Sequence, residues 1–374
     1  MGGHGVATTT RPPGPLHRTG AHRIAALALA LALPAGALLA VGSAQASAQT
    51  ADVTNCNDSG PASLRNAVTT ATAGETIGFA FSPSCSLITE TSGSITVSTN
   101  LTLDGPGASA LAVSGNKLGR AFVVDKVTAT ISGLTIEDGS AALGGGILNS
   151  IEGLVTLTHD TLWDNASTRG AAGVRGLDNN GRFAGATLVA TIVAGNGVGG
   201  LDCDGGVSDG GYNLADDGSC PFSATSLSDT SAGLDPTGLQ DNGGPTQTIA
   251  LEAGSAAIGH VTSVADCTGN DQRGVPLPTP CDIGAMETPL LSVSPSTVAP
   301  GGEVVLTFSG FAPDASVALH LGTATGTVLG TFKMSPTGGL ATGQETVKST
   351  YEPQKYELYA VSGVDTAETT ITVT

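Results

Sequence analysis

The feature that most constrains this chain is a repeat. "TISGLTIEDGS" (Thr130–Ser140), "TLTHDTLWDNA" (Thr156–Ala166) and "TLVATIVAGN" (Thr187–Asn196) align, with Thr135, Thr161 and Thr191 recurring at steps of 26 and 30 residues. Each unit is a pair of short β-branched runs with period-2 alternation, broken by Gly, Asn or Asp. "STNLTLDGPG", which holds Thr102, reads as an earlier and looser copy. Strands this short and this evenly spaced fit a sandwich, a barrel or a solenoid. The return of like residues at like places selects the solenoid, a parallel β-helix whose coils stack about 4.8 Å apart. Ile131, Leu157 and Leu188 are expected as one inward ladder, and Ile136, Leu162 and Ile192 as another. Asn149, Asn165 and Asn196 are expected at turns, where an amide can bond its own backbone or the next coil. The runs Gly144–Ile147 and Gly170–Val174 are expected at equivalent corners.

A β-helix has two open ends, and bare strand edges invite aggregation. "SGPASLRNAVTTA" (Ser59–Ala71) predicts a helix with Pro61 in its first turn and Leu64, Ala67 and Val68 on one face. It is expected to cover the N-terminal coil. The organisation that follows is a leader over 1–48, an N-terminal cap over 49–92 and coils over 93–199. A C-terminal cap is expected over 200–288, and a separate β-sandwich over 289–374.

Arg11, Arg18 and Arg23 precede the apolar run Ile24–Val41, and A-x-A sites end at Ala46 and Ala48, the order of a secretory signal peptide. The run approaches spanning length, so an uncleaved anchor is the rival reading; its alanine-rich composition, Pro34 and the two sites favour removal. With no second apolar span near Thr374, the exported chain is expected to carry no stable membrane span. Removing residues 1–48 takes three of 14 bases and none of 32 acids, which carries the net charge from −18 to −21. Such a polyanion repels nucleic acid and anionic envelope polymers and is compatible with neutral glycans, cationic partners or calcium. Six cysteines in an exported chain predict disulfides, here the local pairs Cys56–Cys85, Cys203–Cys220 and Cys267–Cys281. None has C-x-x-C spacing, which argues against zinc or redox chemistry.

"CNDSGPASLRNAV" resembles the N-terminal segment of exported bacterial CSLREA-domain proteins. "GGGILN", "TLTHDTLWDNAS", "TIVAGN", "DCDG" and "GYNLADDGSC", followed by "LQDNGGPTQTIALEAGSAAIG", "DQRG" and "CDIGAME", are similar to the choice-of-anchor Q family. Together these cover roughly residues 52–287. The resemblance implies a right-handed β-helix on an exported or surface protein and no established reaction. Members commonly end in a sorting or anchoring signal; none is visible here, which leaves surface attachment open. From Leu290, about seven alternating runs lacking Cys and Trp are similar to small immunoglobulin-like modules of exported actinobacterial proteins. A spacer or stabilising module and a glycan- or protein-binding module are both open for it.

Among chemical candidates, Asp138 and Asp164 hold equivalent positions on adjacent coils. Carboxyl groups about 5–5.5 Å apart suit a retaining glycosidase, whereas an Asp in a turn commonly caps local backbone N–H groups. A polysaccharide lyase would need a base beside such acids. Lys117, Arg120, Lys126, Arg169, Arg175 and Arg182 are available but fall in no repeated cluster with acids. Asp202, Asp204, Asp209, Asp216 and Asp217 could hold calcium, or form a polar loop closed by Cys203–Cys220. His159, His260 and His320 show no metal-ligand spacing. Gly195-x-Gly197-x-x-Gly200 matches a dinucleotide fingerprint but lacks the following helix. Asp271, Arg273 and Asp282, near Glu287 and beside Pro276, Pro278 and Pro280, are expected as a structural clasp that closes the last coil. The function expected is non-enzymatic, adhesin-like or structural presentation of the solenoid to glycan or protein, with calcium as the one cofactor in view. A polysaccharide lyase or glycoside hydrolase on the solenoid face is the alternative.

Overall fold

The computed structural model describes residues 50–374 apart from 82–84, 106–110, 151, 177–184, 198–200, 239, 241–248, 272, 336–340 and 364. The expected leader lies outside the described residues, as do Arg182 and Gly200. Among the described residues, three long parallel sheets and a two-stranded one, Ser140–Ala141 with Ala166–Ser167, wrap a solenoid of about six turns. The first sheet has seven strands, Thr50–Val53, Glu75–Phe79, Leu101–Asp104, Thr128–Ser132, Leu154–Thr158, Gly185–Val189 and Val207–Asp209. The second has six, Leu87–Thr89, Ala112–Ser114, Thr135–Glu137, Thr161–Trp163, Ile192–Ala194 and Leu214–Ala215. The third has five, Ile95–Val97, Phe122–Val124, Ile147–Asn149, Ala171–Gly176 and Leu201–Asp204.

The period-2 alternation of the first sheet sorts its residues cleanly. Ile77, Leu103, Ile131, Leu157 and Leu188 stack inward, all fully buried, so the first expected ladder is present and longer than the repeat alone shows. Burying each such side chain contributes about 1.5–3 kcal/mol. The opposite face carries Thr76, Thr102, Thr130, Thr156, Thr187 and Ser208 in one outward column.

The second expected ladder is shifted by one residue in its third coil. Ile136 and Leu162 stack on Val193, whereas Ile192 pairs with Thr161 and faces outward. Thr191 is a corner residue, the counterpart of Asp160 and Leu134 rather than of Thr161. A slip of one residue exchanges the two faces, and strands of three residues carry too little alternation to prevent it on paper.

The corners are closed by side chains from the coil above. Leu134 N–H donates to Asp160 Oδ1 (2.8 Å), Asp160 N–H to Thr191 Oγ1 (3.5 Å), Thr191 N–H to Asn213 Oδ1 (3.0 Å) and Asn213 N–H to Ser226 Oγ (2.9 Å). These buried amides would otherwise lack partners, because each corner interrupts the ladder of strand bonds. At another corner Gly139 N–H donates to Asn165 Oδ1 (2.9 Å), and Asn165 Nδ2 to Asn196 Oδ1 (2.9 Å). Asn149 stands apart from this pair, donating to the carbonyls of Gly153 and Gly185. The Gly144–Ile147 and Gly170–Val174 runs are equivalent, with Ile147 registered on Val174.

The helix spans Leu64–Thr70 and buries Leu64, Ala67 and Val68 against the first coils. Ser63 caps it by accepting from Asn66 N–H at 3.2 Å, so Pro61 precedes the cap instead of occupying the first turn. The disulfides are Cys56–Cys85, Cys203–Cys220 and Cys267–Cys281, as the local pairing predicts.

The coils do not stop at residue 199. Leu201–Asp204, Val207–Asp209 and Leu214–Ala215 form a further coil, and Leu227 bridges Leu214 at its edge. Phe222 packs on the end of the core beside Cys203–Cys220. The segment beyond lies along the side of the solenoid, not over its end. Ile283, Leu251 and Val261 pack on outward-facing Ile192 and Leu214, and Gly284 N–H donates to Ala190 O at 2.8 Å. This second layer buries both faces of Ile192–Ala194.

From Leu290 the chain forms an antiparallel sandwich. One sheet orders Leu290–Ser294, Glu303–Ser309 and Ala341–Thr346; the other orders Thr297–Val298, Asp365–Val373, Lys355–Ser362, Ser316–Leu321 and Thr327–Lys333. The first strand crosses between sheets at Pro295, and Phe308, Phe311, Leu319 and Ile371 fill the space between them.

Candidate functional site

The second sheet's outer face places Ser114, Glu137 and Trp163 in one column on successive coils. Asp138 and Asp164 follow directly, both left-handed at φ 52° and 49°, a conformation Asp tolerates at a tight corner. Lys117 reaches them from the loop after Ala112–Ser114. Its backbone N–H donates to Asp138 O at 2.7 Å, which positions the side chain. Lys117 Nζ then stands 3.1 Å from Asp138 Oδ1 and 3.1 Å from Asp164 Oδ2. The sequence placed no cation with these acids, so this is a correction: a loop outside the repeat brings one in. Among the described residues, neither carboxylate caps a local N–H; both hold the ammonium.

Glu137 is the member of this group that sequence reasoning missed. It is 8% exposed. Burial, reinforced by the charges of Asp138 and Asp164 and opposed by Lys117, pushes its carboxyl up to about 7. The signal was available, since Glu137 breaks an otherwise apolar strand end. Trp163, the only tryptophan of the chain, is half-buried. Its ring lies over Gly195, at φ +65°, where any Cβ would strike the indole. The group therefore combines an aromatic face, two carboxyl groups sharing a cation, and a carboxyl poised near neutrality.

The other candidates disperse. Asp209 accepts from Gly211, Asn213, Ser223 and Ser226, which hold its carboxyl below the usual range despite partial burial. Asp204 pairs with Arg175, Asp216 accepts from Gly195 N–H, and Asp217 from Ser219 and Asp202 N–H. Asp202 is buried, and desolvation with the neighbouring Asp216 raises it to about 8. Among the described residues no group of three or more His, Cys, Asp or Glu is placed to hold a metal ion. His159, His260 and His320 each meet a backbone carbonyl, of Asp266, Thr225 and Gly326 respectively. Arg120 Nε donates to Leu143 O.

Arg273 is fully buried and reaches further than the last coil. Its Nε donates to Asp271 at 3.0 Å, its Nη1 to Asp365 at 2.8 Å, and its Nη2 to the carbonyls of Glu287 and Gly310. Asp365 and Gly310 belong to the sandwich, so the group ties solenoid to sandwich. Asp282 accepts from Gly259 N–H (2.7 Å) and Thr288 N–H (2.6 Å), and Glu287 from Asp282 N–H at 2.9 Å. With every donor of this kind turned inward, the group has no surface on which to act.

Neither the protein-family models nor the curated proteins include a match to this chain. No helix among the described residues is long and apolar enough to cross a membrane, and three disulfides fit an oxidising compartment.

Proposed function

We propose that the chain is an exported glycan-binding protein of the choice-of-anchor Q type, with its binding patch at Trp163, Glu137, Asp138, Asp164 and Lys117. The observation that carries this reading is the placement of the sole tryptophan, half-buried on an outer face, one coil from Glu137 and beside a salt-linked acid pair. An indole offers a flat apolar face with a polar edge, and carboxylates accept from sugar hydroxyls. The leader and the disulfides support export, and the acidity of the chain supports a ligand that is not polyanionic. The sandwich would hold the solenoid away from its attachment. A glycan array probed with the chain and with Trp163→Ala tests the reading: binding that survives the substitution refutes this patch.

A second reading, glycoside hydrolysis, is favoured by Glu137. A carboxyl raised to about 7 by burial beside two further acids is the pattern of a general acid. Product analysis on any bound glycan separates the two. Turnover abolished by Glu137→Gln, with binding kept, makes this an enzyme.

A further inference from the structure

We propose that Asp138 and Asp164 form a receptor for the primary ammonium of an amino sugar, so that the glycan is a de-N-acetylated, cationic one and Lys117 is its resident stand-in. The inference rests on the reading that this patch binds glycan, and names the class.

Lys117 shows what chemistry the pair accepts. One ammonium nitrogen sits 3.1 Å from an oxygen of each carboxylate, the two acids being contributed by adjacent coils. The lysine that supplies it is a poor permanent occupant, because its side chain is 66% exposed. Exposed ion pairs are weak and ordering a lysine costs side-chain entropy, so little holds it in place. A neutral sugar that displaced it would give up the ion pair and offer the two carboxylates hydroxyl donors alone. A sugar ammonium would replace one cation with another, leaving the charge of the patch unchanged. A charge-assisted bond to each acid is thereby kept.

Glu137 points to a ligand independently of the pair. The residue is 8% exposed and its carboxyl, open to solvent at the surface, feels the charges of Asp138, Asp164 and Lys117. A pyranose amine is flanked by hydroxyls, and an ammonium held by Asp138 and Asp164 would bring one of them to this carboxyl. Trp163 is registered on Glu137, and the part of its half-buried indole not packed on the flanking layer offers a sugar ring an apolar surface. The patch carries three carboxyl groups against one amine, on a chain of net charge −18. That balance repels uronic and phosphorylated glycans and attracts cationic ones.

The test uses the full chain and glucosamine oligomers of four units, compared with N-acetylglucosamine oligomers of the same length by calorimetry at pH 6. Binding of the amine form about tenfold or more tighter is expected. Asp138→Asn and Asp164→Asn should each lose about tenfold, while Lys117→Ala gains several-fold. Asp314→Asn, an exposed acid paired with Lys333 on the sandwich, should change nothing and thereby excludes general attraction of a polycation to an acidic protein. Circular dichroism confirms that each variant folds. Equal binding of both oligomers, or loss of affinity in Lys117→Ala, overturns the ammonium receptor while glycan binding stands. Binding of a different glycan class that Trp163→Ala abolishes does the same. Glycan binding indifferent to Trp163→Ala and to both Asp substitutions overturns the patch itself.

Discussion

Arg273 and Asp365 stand 92 positions apart and meet at 2.8 Å in an enclosed space, one from the flank of the solenoid and the other from the last strand of the sandwich. The guanidinium donates to oxygens of Asp271, Asp365, Glu287 and Gly310, among others. Asp271 in turn accepts from the backbone N–H groups of Arg273, Val275 and Glu287, which hold its carboxylate toward the guanidinium.

Removing one partner of a buried ion pair leaves the other charged and unsolvated, at about 3–5 kcal/mol. Arg273→Ala is therefore expected to lower stability by about that amount and to split a single calorimetric transition into two. Asp365→Asn keeps an acceptor and should cost less. Calorimetry of the three proteins side by side checks both statements.

Glu90 gives the stability a pH dependence. It is 2% exposed, neither carboxyl oxygen has a partner among the described residues, and burial pushes it up to about 9 despite Arg65 nearby. The folded chain thus holds a proton that the unfolded chain releases near 4.5. This contribution is complete below pH 4.5 and is lost as pH rises toward 9, with a slope of up to about 1.4 kcal/mol per pH unit. Urea midpoints measured from pH 5 to 9 should fall, and in Glu90→Gln the fall should be shallower.

Trp163 should report the protonation of Glu137. The two are registered neighbours, and the indole is the only one in the chain. Its fluorescence is expected to titrate with a midpoint near 7. A Glu137→Gln variant that keeps the same titration would show that the signal arises elsewhere.

Asn165 is a buried corner amide that bonds Ile136 O and Asn196 Oδ1 and accepts from Gly139 N–H. Asn165→Ala strands the Gly139 N–H and the Ile136 carbonyl, at about 1–3 kcal/mol for each buried group left unpaired. Chemical denaturation should show a loss of this order.

The repeat made the first sheet readable because five-residue strands such as Thr128–Ser132 and Leu154–Thr158 carry two full alternations. Thr161–Trp163 and Ile192–Ala194 carry one, and there the identity of Thr191 outweighed its position. Ile192, Val193 and Ala194 are apolar without alternation, the mark of a strand covered on both sides. Read that way, the segment carrying Ile283 belongs on the flank. Lys117 was unreadable for a different reason. It lies 47 positions from Asp164, in a loop with no counterpart on other coils. Asp365 was further still from Arg273, in what the sequence divides off as another domain.

The corner ladder through Asp160, Thr191, Asn213 and Ser226 has a direction. Each coil gives one cap to the coil before it and receives one from the coil after it. A tandem duplication of one coil would bring both halves of that exchange with it, so a lengthened solenoid would need no compensating change at its neighbours. The architecture is open to growth by recombination between its own repeats, and its reach can change while its two ends stay the same.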